Sequence, residues 1–160
     1  NMAAAAGAFV AMFATQLAYG KVDLTMVLNG ALAGLVSITA EPLTPTMGWT
    51  CFIGGVGGVI VVYGVPLLDK FKIDDVVGAI PVHLFAGIWG TLAVVLTNPE
   101  AALGTQIYGI VVVGVFTFVI SGAAWVILNA ILGIRVSEED EITGLDTAEL
   151  GMEAYPDFVR

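Results

Sequence analysis

Asp74-Asp75-Val-Val-Gly-Ala-Ile-Pro-Val-His83-Leu-Phe-Ala-Gly-Ile-Trp-Gly-Thr-Leu-Ala-Val-Val-Leu96 is the stretch that decides the fold. Two acids open it, and the next 22 residues, Val76 to Thr97, carry no formal charge. About 20 apolar residues are what a helix needs to cross a bilayer. His83, the only histidine in the chain, falls about 10 Å beyond Val76 along such a helix, inside the hydrocarbon. An ionisable ring at that depth is costly and marks a functional position by default. The competing reading is a packed histidine whose nitrogens bond to Ser, Thr or a carbonyl of a neighbouring helix.

The whole chain has this character. Of its 160 residues, 58% are apolar and 12% charged, and the mean hydropathy is +0.96, far from the composition of soluble domains. Five apolar runs, about 2–19, 24–40, 49–68, 76–97 and 105–134, alternate with short polar turns. The expected fold is an all-α polytopic membrane protein with five transmembrane helices in residues 1–134, followed by a tail, 135–160. Asn1-Met2 leads into the first run without a charged n-region, which is not the pattern expected of a signal peptide. It reads as a chain that continues from upstream sequence, with a complete five-helix protein as the alternative.

Charge placement gives the expected orientation. Lys21 follows the first run, Lys70 and Lys72 the third, and Arg135 the fifth, while the loops after the second and fourth runs hold no Lys or Arg. Alternating spans put all these cations on one side, the cytoplasmic one by the positive-inside rule. The tail contributes −6 of the net −9. No basic patch offers itself to nucleic acid.

Glycine, at 20 residues, lies mostly within the spans. Gly30/Gly34 and Gly54/Gly58 have the small-xxx-small spacing that lets membrane helices approach closely. Trp49, Trp89, Trp125, Tyr19, Tyr63 and Tyr108 read as interfacial anchors. Asp74 and Asp75 suit the amino end of the fourth helix, where carboxylates cap free amides. Pro81 removes a backbone donor and frees a carbonyl one turn earlier.

Chemistry beyond His83 is sparse. One His, one Cys and no carboxylate within a span cannot supply the three or four convergent ligands of a metal site, and no cofactor signature is present. Lone Cys51 allows no internal disulfide. Ser37 and Ser121 lie in spans, but Leu35 and Thr39 around one, and Val119 and Ala123 around the other, break the Gly-x-Ser-x-Gly frame. Enzyme chemistry is therefore not expected. A neutral imidazole donates from one nitrogen and accepts at the other, which suits passage of a small neutral polar molecule. It does not suit a full cation, whose isolated charge is too costly in low dielectric. In the tail, Asp146-Thr147-Ala148-Glu149-Leu150 has the pattern of a short capped turn ending at Gly151. Ile142, Leu145, Leu150, Met152, Tyr155 and Phe158 give the tail apolar anchors, so it is either solvated or docked.

Three segments resemble the carboxy-terminal half of ammonium transporters of the Amt/Mep/Rh family: Leu28-Asn-Gly-Ala-Leu-Ala-Gly-Leu-Val-Ser-Ile-Thr39, Ile73 through Gly90 around His83, and Arg135 through Tyr155. The resemblance implies an eleven-helix protomer built from two inverted five-helix repeats plus a long last helix, here residues 105–134, assembled as a homotrimer in the cell (inner) membrane. It also implies an apolar pore in which ammonium loses its proton and ammonia passes two histidines. His83 matches the second of these, and Thr39 matches a threonine of the helix lining the lower pore. The first histidine, the outer recruitment site and the phenylalanine gate would lie in the half not present. The tail is implied to be cytoplasmic and to meet a PII-type nitrogen-regulatory protein.

Several residues depart from the family pattern. The loop Glu41–Gly48 is richer in Pro and Thr, Pro81 replaces a small residue, Leu150 stands where many tails carry histidine, and Ala148 where plant members carry a regulatory threonine. Two other functions fit the same residues: a membrane sensor that binds ammonium and signals through its tail, and a channel for another small neutral solute.

Overall fold

The computed structural model describes residues 1–154. Regular structure among the described residues is entirely helical: α1 (Met2–Tyr19), α2 (Leu24–Ile38), α3 (Met47–Lys70), a fourth segment Ile80–Leu96 whose middle is the regular α4 (Ala86–Ala93), α5 (Leu103–Leu132), and two tail helices, α6 (Glu138–Thr143) and α7 (Leu145–Leu150). α1, α3 and α5 are long and apolar enough to cross a membrane. α2 and Ile80–Leu96 are apolar but shorter; α2, with 15 residues, rises about 23 Å against ~30 Å of hydrocarbon. The fourth segment starts at Ile80 rather than Val76. The cause is Gly78, whose φ of 75° is left-handed and interrupts any right-handed helix begun before it.

Two compact units divide the chain, Asn1–Val112 and Val113–Arg160, and α5 straddles the division. No residue of α5 is buried. A helix apolar on every side and buried on none is one whose surroundings are apolar.

In the first unit, α1, α2 and α3 meet backbone to backbone. α1 presents Ala3, Gly7, Ala11 and Thr15, one per turn and all buried. α2 buries Gly30, Ala33, Gly34 and Ser37, and α3 buries Gly54, Gly55, Gly57 and Gly58. A methyl group on Gly34 or Gly54 would strike the Ala3 carbonyl, one on Gly7 the Gly30 carbonyl, and one on Gly58 the Gly7 carbonyl. In lipid the hydrophobic effect does not draw helices together, and dispersion across such close contacts does. Both glycine spacings seen in the sequence serve this contact. The complementary ladder on α1 is hidden within an alanine-rich run.

Hydroxyls in the helices mostly turn back on their own carbonyls: Thr15 donates to Ala11 at 2.9 Å, Thr91 to Gly87 at 2.9 Å and Ser121 to Thr117 at 2.5 Å. Ser37 is different. It is 2% exposed, and its Oγ has no partner among the described residues. Pro66 lies inside α3 and withholds the donor that would reach Val62. The Tyr19 hydroxyl of α1 supplies one instead, over 3.4 Å.

Glu41, in the loop after α2, accepts from the Asn98 side chain at 3.2 Å and so ties this loop to the one after the fourth helix. Hydrogen bonds from Thr44 and then Asn98 hold its carboxyl below the ordinary 4.5. In the tail, Ser137 caps α6 by accepting from the Asp140 amide at 3.1 Å, and Arg135 pairs with Glu141 at 2.9 Å. α7 ends at Gly151 with φ 66°, the turn expected there. Ile142, Leu145, Leu150 and Met152 are exposed, while Tyr155 and Phe158 lie outside the described residues.

Two expectations follow. Gly34→Leu should destabilise the protein by about 3 kcal/mol, as overpacking does, whereas Gly109→Leu on α5, where a new Cβ meets nothing, should leave thermal unfolding in detergent unchanged. Equal losses at the two positions would contradict the packing described. Glu41 has a folded pKa below its unfolded value, so the stability it lends is present above pH 4.5 and declines as pH falls through its lower folded value. The Asn98 side-chain amide resonance should shift over that acid range and stay fixed in Glu41→Gln.

Candidate functional site

His83 sits in a π-helical turn, Ile80–Phe85, at the start of the fourth segment. Pro81 stands in the first turn, where its missing N–H costs no helical bond, and the wider i→i+5 bonding of a π turn is common at functional sites. Pro81, Val82, Ala86 and Gly90 form the buried face of this segment. Val82 and Ala86 join Ala33 and Val61 in one apolar cluster. His83 and Leu84 face away from that cluster and are exposed. Among the described residues none hydrogen-bonds to the imidazole. The ring is therefore not a satisfied histidine within this bundle.

Both sides of the turn are fixed. On the amino-terminal side the Asp75 carboxylate accepts from the Ala79 and Ile80 amides, each at 2.8 Å, which is the capping role expected of the acidic pair. Asn29 of α2 donates from Nδ2 to the Val77 carbonyl at 2.9 Å. On the other side Trp89 donates from Nε1 to the Ile53 carbonyl of α3 at 3.0 Å, and Gly90 lies against the Ser37 backbone of α2. Trp89, read from sequence as an interfacial anchor, thus also ties two helices together. Phe52 stands edge-on between Trp49 and Trp89, with ring centroids 5.7 and 6.3 Å away.

Thr39 is not beside His83. It caps the carboxy end of α2 and is exposed, and its hydroxyl donates to the Leu35 carbonyl at 2.6 Å. Ser37 touches Gly90, so Thr39 lies past that contact, whereas His83 comes seven residues before Gly90, about 10 Å along the helix. Asn29 is the residue whose part the sequence did not disclose. Its signal is the one amide side chain in the second apolar run. Among the described residues no group of three or more His, Cys, Asp or Glu side chains is placed to hold a metal.

The profile of the Ammonium Transporter Family matches residues 1–155. An ammonium transporter, Amt2, of Archaeoglobus fulgidus is 42% identical, over 99% of this chain and 38% of its own length. An ammonium transporter of Bacillus subtilis is 32% identical, over 98% of this chain and 43% of its own. A solved structure, a Sensor Amt Protein, superposes with a TM-score of 0.84 at 29% identity, covering 93% of this chain and 40% of that one. The chain thus spans about two fifths of the length of these relatives. By the family profile and the relatives together, the chain belongs to the Ammonium Transporter Family.

Proposed function

We propose that these residues form part of a transporter that carries ammonium across the cell membrane, with His83 on the wall of an apolar pore. The observation that carries this is an unbonded imidazole on an exposed face of an uncharged helix, held from both sides by bonds to α2 and α3. A neutral ring can pass a small weak base along by accepting and donating hydrogen bonds. Ammonium itself would first shed its proton, because an isolated charge in low dielectric is too costly. The rest of the wall, including a second histidine that pairs with His83, belongs in this reading to the part of the transporter outside these residues.

Lys21, Lys70, Lys72 and Arg135 support a cytoplasmic tail. The same orientation puts Thr39 toward the outer end of α2 rather than in the lower pore. Its hydroxyl is engaged by Leu35, so Thr39 is the secondary pore contact and His83 the principal one. A homotrimer, and a PII-type protein that meets the tail, complete the proposal. The ordered α6–Gly144–α7 segment supports a recognition role for the tail. The likeness to a Sensor Amt Protein favours a second reading, an ammonium sensor that signals through the tail.

Uptake into liposomes containing the full-length transporter tests both readings. His83→Ala should change ammonium uptake by about tenfold, a barrier difference of ~1.4 kcal/mol, and methylammonium should compete with the substrate. Unchanged uptake in the variant overturns the role of His83. Ammonium binding without any flux in the parent protein would favour the sensor.

A further inference from the structure

We propose that Asn29 is a positioning residue for His83, and this rests on the reading of His83 as a pore group. Val77 precedes the left-handed Gly78 and lies outside the helix that starts at Ile80. The first helical amide to look back, that of Val82, donates to Gly78 at 3.2 Å, and among the described residues no backbone amide takes the Val77 carbonyl. The Asn29 carboxamide reaches across from α2 and takes the Val77 oxygen at 2.9 Å. It arrives there because Gly78 has no side chain: a Cβ at Gly78 would stand 2.9 Å from Asn29 Nδ2.

The neighbour of Asn29 in sequence is Gly30, which is buried against the backbone of Gly7 in α1. Asn29 therefore links the turn that carries His83 to the backbone contact between α1 and α2. Val77 and Trp89 each lie six residues from His83 in sequence, so the ring is centred between the Asn29 bond and the Trp89–Ile53 bond. A π turn holds more residues than the α turn it replaces. With the Val77 end released, its bonding slips toward i→i+4, and each residue of slip swings His83 by about 100° around the helix.

The test is labelling of the thiol in His83→Cys, made in a Cys51→Ala background because Cys51 is a free cysteine. The full-length protein is assembled in liposomes, and the probe is a small neutral methanethiosulfonate. Asn29→Leu, which keeps the bulk and removes the donor, should alter the labelling rate about fivefold, the factor that one ordinary hydrogen bond lends to an equilibrium. Asn29→Ala is the second variant should the leucine impair assembly.

A purely space-filling role would leave labelling unchanged in Asn29→Leu, which keeps the bulk. Labelling that ignores both Asn29 variants overturns the inference. The outcome is separable from the transport reading. If labelling follows Asn29 while uptake ignores His83→Ala, the transport reading fails and the positioning role of Asn29 stands. If uptake depends on His83 while labelling ignores Asn29, the converse holds.

Discussion

A backbone carbonyl surrounded by hydrocarbon must find a donor within the protein, because no water is there to supply one. Pro66 inside α3 breaks that rule locally, and Tyr19 of α1 repairs it by donating to Val62. Val77 lies outside the helix, before the left-handed Gly78, and Asn29 of α2 donates to its carbonyl. Each bond ties one segment to a neighbouring helix. The tie at Val77 also fixes the beginning of the turn that bears the lone histidine.

The helices themselves meet at backbone contact. Ala3, Gly7 and Ala11 let α1 lie against both α2 and α3, and the glycines opposite leave no room for even a methyl group. The fourth segment then docks on α2 and α3 through Val82, Ala86 and Gly90. Its other face carries His83. The histidine is thus held by a framework that makes almost no use of charge within the apolar helices.

Much of this was legible in the residues. Apolar run lengths located the helices, the glycine spacings located two of the three contact faces, and Asp75 and Gly151 did the capping their types suggest. Other features depend on contacts far apart in sequence. The α1 ladder is invisible because alanine is small in every frame of an alanine-rich run. Val76 and Val77 read as helix, but the left-handed Gly78 delays the helix to Ile80. The partner of the Val77 carbonyl stands 48 residues away in the chain. Thr39 was matched to a pore helix by its type, yet its distance from His83 depends on the Ser37–Gly90 contact, which no local pattern encodes.

The shortness of α2 bears on how the protein is made. A 15-residue helix that contains an asparagine is a poor candidate for independent partition into a bilayer during synthesis. Its buried face is the complement of α1, which leaves the ribosome first, and only the few residues around Gly20–Asp23 separate the two. Insertion of the pair as a preassembled hairpin would spare α2 from meeting lipid alone. Biogenesis of the segment that later positions the histidine would then hinge on the alanines and glycine of the helix before it.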